Sequence, residues 1–147
     1  MSNMNTLKIS GIKRIAINDD PNNVIEFNPT DVLFVERFYA MCQEFQVRLE
    51  EFDQRYAKLN EVGLDENGML TDANDNFALQ KEFCTYVRRK IDDLFGNGTS
   101  QKVFGDALSV DMITDFFEGI TPFIWDARNE RVKKYSNSVT DKRRSMK

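Results

Sequence analysis

Histidine is absent from this chain of 147 residues. The commonest general acid/base, the usual activator of a nucleophile and the commonest metal ligand go with it. Carboxylate and lysine chemistry remain open. The acidic pairs Asp19-Asp20, Glu50-Glu51 and Asp92-Asp93 are poor evidence for it, because adjacent positions on a helix point in different directions. A phosphate loop, a glycine-rich dinucleotide turn and a nucleophile elbow are also missing. The reading is of a non-enzymatic protein with no cofactor and no metal.

Cysteine is scarce, with two residues. Cys42 and Cys84 each fall on the apolar stripe of an expected helix and read as buried free thiols in a reducing compartment. A zinc site built on two cysteines would lack its other ligands. The polar stretch 64–76 invites comparison with a calcium loop. Setting Gly68 at the loop's sixth position places Gly63 first and Asn74 twelfth, so the first ligand and the terminal glutamate are both lost. No apolar run approaches the ~20 residues of a membrane span, and Met1 to Thr6 contains no apolar signal core. A cytoplasmic protein is expected.

What is present in quantity is phenylalanine, twelve residues, with four tyrosines and one tryptophan. Val35, Phe38, Cys42, Phe45, Leu49, Phe52, Tyr56 and Leu59 are spaced alternately three and four apart, the rhythm of a helix packed lengthwise on another helix. Half of these positions are aromatic. Large rings fit poorly between two parallel coiled-coil strands, so the seam reads as one long helix of a globular bundle or of a groove holding a partner helix.

The order of elements follows from local signals. Residues 7–17 and 24–27 alternate as strands around the turn-forming Asp19-Asp20-Pro21-Asn22-Asn23, with Gly11 marking a bulge or bend. Asn28-Pro29-Thr30-Asp31 opens the first helix, expected over 29–62, with Asn28 as cap, Pro29 in the first helical position and Gly63 as stop. A second helix is expected over 75–95, with Phe77, Cys84, Val87, Ile91 and Leu94 as its stripe, widened by Phe83 and Phe95. Residues 99–107 form a short helix or turn. A third long helix is expected over 110–133, capped by Ser109, burying Ile113, Phe116, Phe117, Ile120, Phe123, Ile124 and Ala127 and bent at Gly119 and Pro122. The fold class is mainly α: a hairpin followed by a bundle of three long helices, all one domain over 1–133.

Charge is unevenly spread. From Arg128 onward there are eight cations and two acids, a net +6, which leaves residues 1–127 at −10. An acidic body with a flexible basic tail, residues 134–147, is expected. The tail could meet nucleic acid, but the acidic body would repel phosphate and only Tyr135 could stack, so nucleic acid is not the favoured partner.

The run Ile15-Ala16-Ile17-Asn18-Asp19-Asp20, followed by Phe27-Asn28-Pro29-Thr30-Asp31 and by Phe34-Val35-Glu36-Arg37-Phe38-Tyr39 at the start of a long helix, resembles small proteins of tailed bacteriophages and prophages that are encoded near the tape-measure gene and regarded as tail assembly chaperones. The resemblance spans residues 12–60 and has no catalytic signature. It implies a cytoplasmic helical protein that binds the long tape-measure protein and keeps it soluble during tail assembly. It carries over no site residues. A groove for such a partner is expected from the aromatic positions Phe38, Phe45, Phe52, Phe116, Phe117 and Trp125, the helix-in-groove mode of recognition. Two other readings stand beside it: a structural tail subunit that self-associates through the hairpin edge, and a small DNA-associated accessory protein using the basic tail. A homo-oligomer is compatible with each.

Overall fold

The structure, a computed structural model, describes residues 4–60, 64, 66–69 and 73–145, and the side chains of all of these except Asn60 and residues 130–145. A two-stranded antiparallel hairpin, β1 (Lys13–Ile17) and β2 (Asp20–Phe27), is followed by four helices: α1 (Val32–Asn60), α2 (Ala73–Phe95), α3 (Thr99–Phe104) and α4 (Val110–Ser145). The expected mainly helical fold with an N-terminal hairpin is therefore what forms. The fourth helix is the short α3, where sequence left helix and turn open.

The hairpin is tighter and shorter than the sequence suggests. Asn18 and Asp19 both have positive φ, 52° and 60°, the left-handed pair that a two-residue loop with the strands' own twist requires. The turn thus sits ahead of Pro21. Residues Pro21 to Asn23 instead form an irregularity within β2, where Ile17 faces Asp20 and the next pair is Ala16 with Val24. The outer face pairs Arg14 with Glu26 at 2.7 Å, and Ile25 and Phe27 are buried on the inner face. Residues 4–12 form no strand.

Between β2 and α1 the capping chemistry differs from expectation by three residues. Asn28 Oδ1 accepts from the Thr30 amide at 3.0 Å and the Thr30 hydroxyl at 2.6 Å, and the Asp31 amide donates to the Asn28 carbonyl at 3.2 Å. Asn28 therefore caps a turn, with Pro29 fixing that turn's first corner. The helix cap is Asp31, whose Oδ1 accepts from the Leu33 amide at 3.0 Å and whose carbonyl takes the first helical hydrogen bond from Val35 at 3.1 Å. Ser109 is the cap of α4 as expected, its hydroxyl accepting from the Met112 amide at 3.2 Å. The α1 stop expected at Gly63 lies outside the described residues.

α4 runs unbroken through Gly119 and Pro122. Pro122 and Glu118 are both exposed, so water can satisfy the Glu118 carbonyl left without a proline N–H. The helix continues beyond the expected boundary at 133 to Ser145; the side chains of the basic stretch lie outside the described residues.

The core gathers around Phe95. Its ring meets Phe27 of β2 at 5.7 Å, Phe34 and Phe38 of α1 at 5.4 and 6.4 Å, and Phe116 of α4 at 5.6 Å, all edge-on, the arrangement that the ring quadrupole favours. Ile91, Ile113, Ile124 and Cys84 are fully enclosed nearby. On α2 the buried stripe begins at Asn76 and Leu79, while Phe77, expected on that stripe, is 58% exposed. Asn76 keeps its polar group satisfied by accepting from Gln80 Nε2 at 2.6 Å.

α3 is held from α2. The Asp92 carboxylate accepts from the Ser100 amide at 2.7 Å and its hydroxyl at 3.0 Å, and Arg88 donates to the Ala107 carbonyl at 2.7 Å. α3 in turn fixes the hairpin, the Lys102 carbonyl accepting from Asn23 Nδ2 at 2.7 Å. Asp92→Ala leaves the α3 amide and the partly buried Ser100 hydroxyl unpaired and should lower stability by about 1–2 kcal/mol. Phe95→Ala should cost about 3 kcal/mol, whereas Phe77→Ala should change stability by less than about 0.5 kcal/mol, as exposed positions do. Denaturant titrations of the three variants check this ranking.

Candidate functional site

α4 covers only part of the α1–α2 pair. Ring contacts between α1 and α4 occur at Tyr39 with Trp125, 6.1 Å, and at Phe45 with Phe117, 4.7 Å. Further along α1, Phe52 meets Tyr56 of its own helix at 5.8 Å and Phe83 of α2 at 4.9 Å. At that end a hollow of about 640 Å³ opens between α1 and α2. Phe52, Leu79 and Phe83 give it an apolar floor, with Ala78 exposed beside them. A second hollow of about 390 Å³ shares Arg55, Ala78, Leu79 and Glu82 with the first and extends to Lys58, Leu59 and Asp75. Together they form one groove from Arg89 to Asp75, about 21 Å along α2. Among the described side chains, none from α4 lines it.

The rim is charged, with cations in excess. Arg48, Arg55, Lys81 and Arg89 face Glu51 and Glu82 across the larger hollow. Arg55 grips the Glu82 carboxylate with both guanidinium nitrogens at 3.2 and 3.3 Å, and Arg48 lies 3.5 Å from Glu51. All four side chains are at least half exposed, so these pairs shape the rim more than they stabilise it. At the mouth, the Arg48, Lys90 and Arg89 cations stand 4.8, 5.7 and 5.9 Å from the centre of the Tyr86 ring. The Tyr86 hydroxyl donates to Glu44. That hydrogen bond, assisted by Lys90 and Arg48 and opposed by slight desolvation, holds the Glu44 carboxyl below its ordinary value. Burial, with the same hydrogen bond, raises the Tyr86 hydroxyl.

The six aromatic residues expected to line one groove are not brought together in one. Phe38 is 1% exposed, among Phe34 and Phe95. Phe116 is buried against Phe95 and Phe104. Phe45 and Phe117 are half-buried and face each other, and Trp125 is half-buried against Tyr39. Phe52 alone of the six lines the α1–α2 groove. The other five are occupied in packing α1, α2 and α4 of the same chain. A heptad shows which face of a helix is apolar and leaves open what covers it.

Leu79, Phe83 and the four rim cations were not singled out as partner contacts from sequence. One signal was available. The α1 seam spans Val35 to Leu59, about 36 Å, while the apolar face of α4 spans Ile113 to Ala127, about 21 Å. A cover that short cannot reach both ends of the seam, and at the far end Phe52 is buried against α2 instead.

Both thiols are free, Cys84 buried and Cys42 half-buried, and burial raises both above the ordinary thiol value. Among the described residues no three acidic or cysteine side chains converge as a metal site would need, and no described helix is long and apolar enough to cross a membrane.

Two measurements follow. A thiol reagent at pH 8 should leave Cys84 unmodified in the native protein and react with both cysteines in denaturant; prompt native reaction at Cys84 would contradict its burial. Glu44 has a lowered folded-state value, so its contribution is present above the ordinary glutamate value and disappears as pH falls through the folded one. The melting-temperature difference between wild type and Glu44→Gln should therefore be present at pH 7 and vanish on acidification. A difference independent of pH would contradict the Tyr86–Glu44 contact.

No curated protein and no solved structure is similar to this chain. A family model matches residues 21–147, and on that span the chain belongs to a family of unknown function, DUF6673.

Proposed function

We propose that the protein is a non-catalytic binding module that holds an amphipathic helix of a partner protein, and that it serves as a phage or prophage tail assembly chaperone for a tape-measure protein. The observation that carries the binding reading is the α1–α2 groove beyond α4. Phe52, Leu79 and Phe83 offer an apolar floor, and the length of the groove matches about four helical turns. In a bundle this is the place where a further helix would lie. The chaperone reading rests on the resemblance over residues 12–60. A tape-measure protein is long and helical, with apolar stripes exposed until the tail closes around it, and a soluble acidic protein with an open groove suits that task. The rim's excess of cations favours a partner helix whose polar edges are acidic, since opposite charge speeds encounter and fixes register.

Ala78 is exposed and lines both hollows, so Ala78→Trp should block the groove without disturbing the core. Tagged wild-type protein, recovered from its native host background, should carry with it a long helical protein identifiable by mass spectrometry. Ala78→Trp, with unchanged melting temperature, should lose at least nine-tenths of that protein. Equal recovery by the variant would remove the groove as the binding site. Recovery of nucleic acid alone by the wild type would contradict the chaperone reading.

A further inference from the structure

A second apolar groove lies on the opposite side of the core, and the chain carries a segment that matches it. About 340 Å³ is enclosed between the hairpin, α3 and α4, with Ile15, Ile17, Val103, Met112, Ile120 and Phe123 on its walls. Phe123, expected to be buried, is 41% exposed here. Three successive β1 residues, 15 to 17, line the groove, with Asn18 of the turn beside them. Successive side chains of a strand point to opposite faces, so a groove touching all three runs along the edge of the strand. That edge is free: the sheet has two strands, and β1 pairs with β2 alone among the described residues.

Ahead of β1, residues 4–12 take no regular structure, and their apolar side chains are left in water. Leu7 is 89% exposed, Ile9 80% and Met4 78%. Leu7 and Ile9 are two apart, so in an extended chain they share one side. The segment carries Lys8 and no acid. The α4 surface bordering the groove carries exposed Asp111, Asp115 and Glu118, with Asp115 on the groove wall itself.

The arm does not serve its own groove in this fold, where Leu7 and Ile9 stay exposed. Gly11 has φ +114°, and a Cβ there would lie 2.6 Å from Thr30 Oγ1 and 2.8 Å from Asn28 Oδ1. Its backbone is thus seated on the turn after β2, at the open end of the hairpin. To run back along β1 the chain would have to reverse between Gly11 and Lys13 while Gly11 stays seated.

We propose that two copies of the chain exchange arms: residues 4–10 of each copy add as a strand to the free edge of the other's β1, with Leu7 and Ile9 filling its groove and Lys8 facing the acidic border of α4. The mode is strand addition, in which main-chain hydrogen bonds give affinity and alternate side chains give register. The exchange is reciprocal, so the assembly closes as a two-fold dimer. It also removes the exposed sheet edge that would otherwise invite uncontrolled pairing.

Light scattering on the full chain at tens of micromolar tests it. The wild type should have twice the 17.1 kDa chain mass. The double variant Leu7→Lys/Ile9→Lys should fall to the single-chain mass with unchanged helical circular dichroism and melting behaviour. Gly119 lines the groove, and a Cβ on it would meet nothing within 4 Å, so Gly119→Met fills the space from the α4 side and should also halve the mass. A wild type at single-chain mass would overturn the proposal, as would an assembly larger than two. A dimer that survives either variant would equally overturn it.

Discussion

The ring of Phe95 is the contact on which the rest of the molecule depends. It ends α2, and from there it meets a ring of β2, two of α1 and one of α4. A two-stranded hairpin is marginal alone in water, and a helix is stabilised mainly by burying its apolar face. Neither the hairpin nor α4 has an adequate surface of its own to lean on. Phe27 brings the hairpin to Phe95, Phe116 brings α4 there, and Phe34 and Phe38 anchor α1. The core is therefore concentrated at one end of a pair of helices that extends well past it.

That concentration has a consequence at the other end. α1 and α2 continue from Phe45 to Asn60 and back from Ala73 to Phe83 as a pair whose groove receives none of the described side chains of α4. Two helices can bury the seam between them, and Leu79 and Phe83 are buried, but the pair has an open side. Surface ion pairs such as Arg55–Glu82 contribute little there. A third helix from another chain could lie there without any rearrangement of the core. A built core beside a bare groove is thus a single arrangement, set by the short apolar face of α4.

Much of this was legible in the chain itself. The alternating three- and four-residue spacing from Val35 to Leu59 marked α1, Ser109 marked the start of α4, and the Gly96-Asn97-Gly98 run marked the end of α2. What sequence did not show depends on contacts between distant residues. Asn28-Pro29-Thr30-Asp31 contains two possible caps, and the choice of Asp31 follows from Asn28 closing a turn with Thr30. Phe77 falls on a helical stripe by count, yet the helix is rotated so that Asn76 and Leu79 face inward. The six aromatics expected in one groove are dispersed for the same reason. Aromatic spacing identified sticky positions, and α4 of the same chain claims most of them, leaving Phe52 among its neighbours Leu79 and Phe83. The arm before β1 could be mistaken for strand because Leu7 and Ile9 alternate properly, yet residues 4–12 take no regular structure.

The central claim is that one half of the α1–α2 pair is covered and the other is open. Amide hydrogen exchange on the isolated protein measures this directly, because protection follows the local free energy of opening. The account predicts slow exchange at 34–46 and 84–94, close to the global unfolding limit, and exchange at least tenfold faster at 49–59 and 75–82. Uniform protection along both helices would mean that the far half is already covered, and would contradict the open groove.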